Sequence, residues 1–488
     1  MKLFSYAISI CRCYSSKASS FNQTKWGGND TPKRPRIKWT NEQKRVLDAI
    51  SNGKSVFITG SAGTGKTFVL EHAIKRLKKI HGRSNVYVTA STGVAALSLG
   101  GQTLHSFAGV GIGDADRASL VERILSNKRA HRRWKKVKAL VIDEASMIDN
   151  ELFESLESIA RFFRNEEGVC ENKIWGGIQL VVSGDFFQLP PVLKNKKKDA
   201  KKYAFEADCW NASFDMQIEL TKAFRQLKDE TLIRILLGIR KGECDPGDLN
   251  FLEGCCSGDE PDPSAVRLYP RTEDVNKVNK MKMESLKENI VVFRAVDLGE
   301  DPWKRQLKHG IAPDELELCK GARVMLTKNK NPWLKLVNGA TGTVKDFVEA
   351  SDEQCKKYKT WDGDDFSIFP VVEFDCGIEM KVEPEIWAVM DGDKVVAKRR
   401  QIPLILSWAL SIHKCQGMTL DKLHTDLKRV FDFGMVYVAL SRVRLLTGLH
   451  LSGLDPSKIK AHPKVLQFYS KFSGEQDGQG EDSIADKN

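Results

Sequence analysis

The chain has 488 residues, and its 76 lysine and arginine residues outnumber its 64 aspartate and glutamate residues, so the net charge is +12. Hydrophobic residues make up 41% of the chain and charged residues 29%, which excludes a wholly disordered or a fibrous protein. The length predicts two to four domains at roughly 100–200 residues each. No apolar run approaches the roughly 18–20 residues of a membrane span. The eleven cysteines include no CxxC pair, so we expect reduced thiols in an intracellular protein.

The first thirty residues have the composition of a targeting segment. Residues 1–29 contain four basic residues, no acidic residue and many serines. This composition is typical of an organelle transit peptide, and residues 12–15 (RCYS) resemble a mitochondrial processing site. We predict a mitochondrial transit peptide over residues 1–30 and a mitochondrial location; a secretory signal or a disordered tail is the alternative. A second, nuclear form is not visible in the sequence.

The next segments indicate a parallel α/β domain. After a basic, proline-containing linker over residues 31–38, short apolar strands alternate with helix-length segments as far as about residue 192. The predicted strands are SVFITG, NVYVTA, ALVIDE and IQLVVSGD. Apolar strands separated by helices favour a parallel sheet covered on both faces. A basic helical insert over residues 112–138 interrupts the alternation.

The second half of the chain changes character twice. A charged connector over residues 194–202 precedes a second α/β region, predicted from Tyr203 to about Val292. From about 315 to 395, strands with Gly and Asp turns predict a small antiparallel barrel. Parallel-type strands return at 402–412, so the barrel interrupts the second α/β region. Residues 473–488 are polar and acid-biased, which predicts a disordered tail.

The segment GSAGTGKT fits the phosphate-loop pattern GxxxxGK[ST] between a predicted strand and helix. Its glycines allow a tight loop whose backbone N–H groups face phosphates, and the following helix adds partial positive charge. Lys66 is expected to reach the β- and γ-phosphates of ATP, and the Thr67 hydroxyl to bind Mg²⁺. The predicted ATP-binding residues of the loop are Gly60, Ser61, Ala62, Gly63, Thr64, Gly65, Lys66 and Thr67.

Two acids, Asp143 and Glu144, end the strand ALVID. A carboxylate at the tip of a buried strand beside a phosphate loop is where Mg²⁺ needs its second anchor. We therefore predict that Asp143 binds Mg²⁺ together with Thr67. Glu144 is expected to polarise the attacking water, which favours an ATP hydrolase over a GTPase switch.

Four other residues are candidates for the same site. Gln188 follows another apolar strand and could sense the γ-phosphate, and Gln43 could read an adenine edge. Arg225 and Arg442 are candidate arginine fingers. From spacing alone, Gln43 and both arginines are about equally consistent with ordinary surface residues.

Nine segments, in order, resemble the motifs of the Pif (petite integration frequency) type of superfamily-one DNA helicase, related to RecD. They are WTNEQ, GSAGTGKT, TASTGVAA, GGQTLHSFAG, VIDEASMI, GGIQLVVSGDFFQLPPV, LTKAFRQ, SWALSIHKCQGMTLD and VYVALSRVR. The resemblance covers about residues 38–455. It implies that Gln43 and Gln188 serve the nucleotide site, and that Arg225 and Arg442 complete it from the second domain.

The resemblance also implies a fold and a domain arrangement. The fold class is α/β, with two RecA-like P-loop parallel-sheet domains, a small helical wedge insert and an inserted small β-barrel, and with ATP between the two RecA-like domains. On this basis the first RecA-like domain spans residues 31–200, with its wedge at about 112–138. The second spans 201–314 and 396–472, and the barrel spans 315–395.

Loops at predicted C-terminal strand ends, where open α/β sheets bind ligands, match motifs that line the DNA path in this family. By resemblance the DNA-contacting residues are Thr92, Gly93, Val94, Thr103, His105, Phe107, His413, Lys414 and Gln416. A buried structural role is the alternative for His105, and Phe186 and Phe187 could stack on bases or pack. The run over residues 128–138 holds seven Lys/Arg and Trp134; it is either a solvated face or a contact to phosphates.

The resemblance implies an ATP-dependent DNA helicase that uses ATP with Mg²⁺ and moves 5′ to 3′ on single-stranded DNA. Expected roles are DNA repair, recombination, telomere maintenance and unwinding of duplexes or G-quadruplexes for the mitochondrial genome. Expected partners are single-stranded DNA and forked or structured DNA, with no membrane, for a monomer in solution. The alternative is an ATPase or translocase, stimulated by single strands, that strips proteins or acts on RNA. A non-catalytic P-loop module is a third interpretation, which the intact Lys66, Asp143 and Glu144 disfavour.

Overall fold

The computed structural model describes residues 37–111, 116–165, 173–191, 203–256, 262–301, 303–308, 310, 312–331, 334–351, 353–354, 366–391 and 394–473. The predicted transit peptide, the connector at 194–202 and the tail after residue 473 lie outside these ranges. The chain divides into residues 1–39 and 40–488; residues 37–39 form no helix or strand, and every described helix and strand belongs to the second unit. The cysteines within the described ranges are free thiols. No helix in those ranges is long and apolar enough to cross a membrane.

A six-stranded parallel sheet organises the first part of the chain. Its helices and strands are α1 (Asn41–Ser51), β1 (Val56–Gly60), α2 (Lys66–His81), β2 (Val86–Ala90), α3 (Gly93–Ser98), β3 (Gln102–Thr103), α4 (Leu104–Ala108), α5 (Arg117–Ser126), α6 (Lys128–Lys136), β4 (Ala139–Asp143), α7 (Asn150–Asn165), β5 (Gln179–Ser183) and β6 (Met216–Leu220). The strand order is β3-β2-β4-β5-β1-β6. Strands β1, β2, β4 and β5 are buried along their whole length, which confirms the four apolar strands predicted from the sequence.

The sheet continues past residue 200, where the sequence predicted the first domain to end. Strand β6 pairs in parallel with β1, from Val56 opposite Met216 to Gly60 opposite Leu220. That boundary is therefore wrong. Strand β6 lies at the sheet edge and alternates half-buried with buried residues, so it lacks the continuous apolar run by which the other strands were recognised.

The basic helical insert is present as α5 and α6. Helix α6 is fixed to α4 by two buried side chains. The Trp134 Nε1 donates to the Ala108 carbonyl at 3.0 Å, and the Arg133 guanidinium donates to the Phe107 and Ser106 carbonyls, both at 2.8 Å. Trp134 is fully buried and Arg133 is 2% exposed. Neither side chain is available to DNA, so these two members of the basic run are structural.

Antiparallel strands separate the two parts of a second parallel sheet. In chain order the elements are α8 (Glu230–Lys241), α9 (Pro246–Gly254), β7 (Val266–Tyr269), α10 (Thr272–Ser285), β8 (Val291–Arg294), β9 (Val296–Gly299), α11 (Trp303–Leu307), β10 (Glu315–Leu318), β11 (Arg323–Leu326), β12 (Thr341–Glu349), β13 (Ile368–Phe374), β14 (Glu379–Lys381), β15 (Glu385–Asp391), β16 (Lys394–Gln401) and β17 (Leu404–Leu406). The antiparallel region spans 291–406, wider than the predicted 315–395. Its described strands form three sheets, β10-β8, β14-β13-β12-β11-β17 and β15-β16-β9, so closure into one barrel stays a prediction.

The second parallel sheet is split in sequence, as predicted. Its remaining elements are β18 (Ala409–Ser411), β19 (Leu423–Asp426), α12 (Met435–Leu440), β20 (Leu449–Gly453) and α13 (Pro463–Ser473). The strand order is β18-β7-β19-β20, and all neighbours are parallel. Strand β17 pairs antiparallel with β11 instead. Only the second half of the predicted 402–412 segment therefore belongs to the parallel sheet.

The last helix, α13, packs against the first sheet. The Phe468 ring centroid lies 4.5 Å from that of Phe205 and 5.5 Å from that of Phe186. The Tyr469 hydroxyl shares a 2.5 Å hydrogen bond with the Thr59 hydroxyl at the end of β1. The end of the described chain therefore completes the packing beside the phosphate loop.

Candidate active site

The phosphate loop joins β1 to α2, as its sequence predicted. The Lys66 Nζ donates to the carbonyls of Gly60 at 2.7 Å and Ser61 at 3.0 Å. Burial lowers the pKa of Lys66, and the charges of Asp185 and Glu144 oppose that shift. Gly63 has φ +85°, and a Cβ there would lie 2.7 Å from the Arg225 Cβ. Only glycine allows the loop to approach the Arg225 segment this closely.

The two predicted acids lie at the carboxyl end of β4. Asp143 ends the strand, and Glu144 adopts a left-handed backbone conformation with φ 56° and ψ 48°. Burial raises the pKa of Asp143. Burial, and then the charge of Asp143, raises the pKa of Glu144 to about 7. A carboxyl group that titrates near neutrality is suited to accept a proton from water at physiological pH.

The residues present fit a Mg²⁺ ion bound with nucleotide phosphates. Thr67 lies in the first turn of α2 and is exposed, and Asp143 is 6% exposed at the carboxyl end of β4. A hydroxyl and a carboxylate are hard oxygen donors, and Mg²⁺ is usually held by one or two carboxylates together with substrate phosphates and water. Burial raises the pKa of Asp143, and the charge of Lys66 only partly opposes that shift; a bound cation would stabilise the ionised carboxylate further.

One glutamine from the second parallel domain, Gln416, contacts both Glu144 and Gln188. The Gln416 Nε2 donates to the Glu144 Oε2 at 2.9 Å and to the Gln188 Oε1 at 3.2 Å. Gln188 was predicted at the nucleotide site, and the structure brings it there. Gln416 was predicted to contact DNA, whereas its amide lies against the two nucleotide-site residues. Its position two residues after Lys414 in the same loop gave no sequence signal for this contact.

The two candidate arginine fingers lie beside each other. The Arg225 guanidinium donates to the Ser441 carbonyl at 2.9 Å and to the Gly417 carbonyl at 3.3 Å. Arg442 is 1% exposed and donates to the Val438 carbonyl at 2.8 Å. Burial, and then the charge of Arg442, lowers the pKa of Arg225. Arg225 follows β6 of the first sheet, so it connects the domains and does not belong to the second alone.

Gln43 is buried beside the phosphate loop, so the surface interpretation of this residue is wrong. Its Oε1 accepts the Thr40 N–H at 3.1 Å in a capping box at the start of α1. A Cβ on Gly65 would meet the Gln43 Nε2 at 3.4 Å and the Phe224 ring at 3.7 Å. Phe224 is 37% exposed. It was missed, although a large apolar residue directly before Arg225 was a usable signal.

A buried network behind the loop was also missed. Asp185 is fully buried and pairs with Arg240 at 3.0 Å. The Tyr437 hydroxyl accepts the Ala62 N–H of the phosphate loop at 2.7 Å and donates to the Asp185 Oδ2 at 3.3 Å. The Arg240 guanidinium also lies 4.5 Å from the Phe187 ring centroid. One side chain of α12 thus joins the loop to a charged pair, and no local sequence pattern marks such a pair.

The predicted DNA-contacting segments lie at carboxyl ends of strands, as expected. Strands β2 and β3 are neighbours, with Ala90 opposite Thr103. The Ser91 hydroxyl donates to the Glu144 carbonyl at 2.8 Å, directly before the Thr92–Val94 segment. His413 and Lys414 are exposed after β18. The Thr92–Val94 segment and the His413–Lys414 segment are therefore each within two residues, along the chain, of a side chain that donates a hydrogen bond to Glu144.

Three aromatic candidates are buried. Phe107 is fully buried between the rings of Tyr87 and Trp134, at centroid distances of 5.1 and 5.0 Å; its assignment as a DNA contact is wrong for this conformation. Phe186 and Phe187 are 1% and 5% exposed, so they pack and do not present a ring to bases. His105 is half-buried, and both interpretations of it stay open.

Comparison with known proteins decides the family. A sequence model described as PIF1-like helicase matches residues 38–248. The chain is 40% identical to the ATP-dependent DNA helicase PIF1 of Emericella nidulans over 88% of this chain and 62% of that protein. It is 38% identical to the crystal structure of Pif1 helicase from Candida albicans, over 90% of this chain and 100% of that one, with a TM-score of 0.68. The chain belongs to the PIF1-like helicase family.

A further relative of the family has been solved with ligands. The crystal structure of Pif1 helicase from Bacteroides in complex with ADP-AlF3 and single-stranded DNA is 27% identical over 90% of this chain and 98% of that one, with a TM-score of 0.57. The family predicted from the nine motifs is thus confirmed. The chain spans about 60% of the length of the curated PIF1 relatives that it matches.

Proposed function

We propose that this chain is an ATP-dependent DNA helicase that moves 5′ to 3′ along single-stranded DNA and unwinds duplexes. One observation carries the proposal. The Gln416 amide, two residues after Lys414 in the loop that follows β18, donates to the carboxylate of Glu144 directly after β4. A single hydrogen bond therefore links a predicted strand contact to the predicted catalytic acid. The family's named helicases, and the Bacteroides relative with single-stranded DNA, support the choice of substrate.

The residues around the loop suit ATP hydrolysis. The loop and Lys66 bind the phosphates, and the buried Gln43 amide with the Phe224 ring forms a place for the base. Thr67 and Asp143 would hold Mg²⁺, which neutralises charge that builds up on the phosphates. Ionised Glu144 accepts a proton from the attacking water, while Gln416, itself held by Gln188, orients its carboxylate. Arg225 and Arg442 supply positive charge for the transferred phosphoryl group.

Hydrogen bonds offer two routes from DNA to this chemistry. Ser91 connects the Thr92–Val94 segment to the backbone of Glu144, and Gln416 connects the His413–Lys414 segment to its side chain. A strand bound across both segments would fix the position of Glu144 from both sheets. Hydrolysis would then be faster with DNA bound, and domain closure on each ATP would advance the strand.

We also propose a role in maintenance of the mitochondrial genome. The composition of residues 1–30 supports import, and the resemblance supports repair, recombination, telomere maintenance and unwinding of G-quadruplexes. Fusion of residues 1–30 to a fluorescent protein tests the location. Co-localisation with a mitochondrial marker is expected, and a cytosolic reporter would contradict the proposal.

The enzymatic proposal is tested by ATP hydrolysis with and without single-stranded DNA. Single-stranded RNA and blunt duplex are run in parallel, and a labelled fork reports unwinding. We expect strong stimulation by single-stranded DNA, no hydrolysis by Lys66→Ala, and ATP-dependent unwinding of the fork. Stimulation without unwinding would favour the translocase, preference for RNA would change the substrate, and full activity of Lys66→Ala would overturn the assignment of the site.

A further inference from the structure

Cations gather at the amino ends of the strands of the first sheet, on the side opposite the nucleotide site. The nucleotide site lies where parallel strands end, and the other edge is where they begin. Exposed basic side chains precede three of these strands or lie in the last turn of α2. They are Lys54 before β1, Lys79 in α2, Arg83 before β2, and Lys136 and Lys138 before β4. We call these five residues the basic edge.

One buried residue, Gln179, holds the backbone at Lys54 and Lys138 of the basic edge in place. Gln179 is 6% exposed, and its Nε2 donates to the Lys54 carbonyl at 2.9 Å. Its Oε1 is hydrogen-bonded to the His81 Nε2 at 2.7 Å, and its N–H donates to the Lys138 carbonyl at 2.9 Å. The Lys138 N–H donates in turn to the Asn85 carbonyl at 2.9 Å. Hydrogen bonds through Gln179 and Lys138 thus fix the backbone from which these cations extend, although the segments are far apart in sequence.

These cations lack the counter-charges that some other surface lysines have. Lys320 pairs with Asp346 at 2.7 Å, and Lys345 pairs with Glu373 at 2.6 Å. Within the described ranges, no carboxylate pairs with any residue of the basic edge. Asp48 pairs with Arg76 at 3.4 Å, and Asp215 accepts the Ser55 N–H at 2.7 Å without an ion pair to the basic edge. The five cations therefore carry positive charge that no direct ion pair in the described ranges neutralises.

The chemistry of the cluster selects its ligand. Single-strand sites combine cations with flat rings on which bases stack. No ring contact involves the five cations in the described part of the chain, so they offer charge without a stacking surface. Duplex bases are already stacked and need only their phosphates neutralised. We propose that the basic edge is a second nucleic-acid site, which binds the phosphate backbone of a duplex away from the nucleotide site. This proposal rests on the proposed function only in assuming that the polyanion is a nucleic acid.

The test compares two triple variants of the full chain without nucleotide. One is Lys54→Gln/Arg83→Gln/Lys138→Gln. The matched control, Lys228→Gln/Lys241→Gln/Lys282→Gln, removes the same charge from exposed residues elsewhere. Affinity for short blunt DNA and RNA duplexes, and for polyglutamate, is measured against salt concentration. Each lost phosphate contact reduces the magnitude of the negative slope of log K against log salt by about 0.9. We therefore expect that magnitude to fall by roughly 2–3 for the basic-edge variant and to change little for the control. Hydrolysis stimulated by single-stranded DNA should stay at the wild-type level.

Four results would overturn the proposal. The first is an unchanged slope in the basic-edge variant, and the second is an equal fall in the control variant. The third is that the basic-edge variant loses both duplex binding and stimulation of hydrolysis by single-stranded DNA. The fourth is that it loses polyglutamate binding but keeps duplex binding. The third would place the basic edge on the main DNA path, and the fourth would identify an acidic protein as its ligand. Failure of the proposed function is read separately, because the wild-type chain would then show no stimulation of hydrolysis by single-stranded DNA.

Discussion

Glu144 combines two costs at one position. Its backbone lies in the left-handed region, which costs a non-glycine residue roughly 1–2 kcal/mol, and its half-buried side chain directly follows the buried Asp143. Hydrogen bonds from Ser91 to its carbonyl and from Gln416 to its side chain hold this conformation. Strained residues of this kind persist where the surrounding structure over-determines them, often at active sites. The strain therefore supports Glu144 as the residue whose position governs hydrolysis.

The raised pKa of Glu144 predicts how hydrolysis depends on pH. A base must be ionised, and a pKa of about 7 leaves Glu144 increasingly protonated as the pH falls below that value. We expect kcat/KM for ATP to rise with pH and level off above about 7, falling about tenfold per unit below it. Glu144→Gln should lower kcat by roughly 10²–10⁴-fold and abolish this profile. ATP binding to Glu144→Gln over the same pH range controls for titration of ATP itself, and a wild-type rate flat from pH 6 to 8 would contradict the assignment.

The Asp185–Arg240 pair gives a second prediction at a single residue. Arg240→Ala leaves a fully buried carboxylate without its partner, which costs about 3–5 kcal/mol. Lys241→Ala changes the neighbouring exposed residue of α8 and is expected to cost less than about 0.5 kcal/mol. Chemical denaturation of both variants measures the difference. Equal midpoints would show that the pair contributes no net stability.

At the scale of elements, the approach of the α12 segment to the loop after β5 depends on Gly434. This glycine has φ +73°, and a Cβ there would lie 2.5 Å from the Phe187 carbonyl oxygen and 2.6 Å from that of Gln188. Backbone atoms cannot give way as the end of a side chain can. The contact sets Tyr437 and Arg442 of the α12 segment against the loop that carries Gln188.

Gly434→Ala is therefore expected to destabilise the protein more than a glycine change in open space. Gly377→Ala is the matched control, because Gly377 has φ +80° with nothing within 4 Å of its Cβ position. The control carries only the left-handed strain of roughly 1–2 kcal/mol, whereas Gly434→Ala adds a backbone clash. Thermal unfolding of both variants measures this, and equal losses would show that the contact is easily relaxed.

Elements were predictable where one local signal determined them. Apolar runs identified β1, β2, β4 and β5, and the glycine pattern identified the phosphate loop. Strand β6 was missed because its edge position leaves it half-polar. The roles of Phe107, Trp134 and Gln416 could not be read from sequence, since burial and hydrogen bonding depend on segments far away in the chain. Asp185 and Arg240 illustrate the same limit, because neither residue by itself predicts a buried ion pair.

At the scale of the whole molecule, a hydrogen bond from Gln416 links the loop after β18 of the second sheet to Glu144. Gln416→Ala should leave ATP binding intact and reduce stimulation by single-stranded DNA more than basal hydrolysis. Loss of one hydrogen bond to a charged group, about 1.5–3 kcal/mol, corresponds to a fall of roughly ten- to a hundredfold in the stimulated rate. Gln467→Ala, an exposed glutamine on α13, is the control. Equal losses with and without DNA would assign Gln416 to chemistry alone.

The position of α13 has a consequence for how the protein is made. The first sheet is built from residues 56–220, yet Phe468 and Tyr469 from residues 463–473 cover Phe57 and bond Thr59. A chain emerging from the ribosome therefore holds an open aromatic surface until residues 463–473 have been translated, and this surface is prone to association in the meantime. A stop codon before residue 463 is expected to yield a fragment that contains the whole phosphate loop but leaves this aromatic surface uncovered.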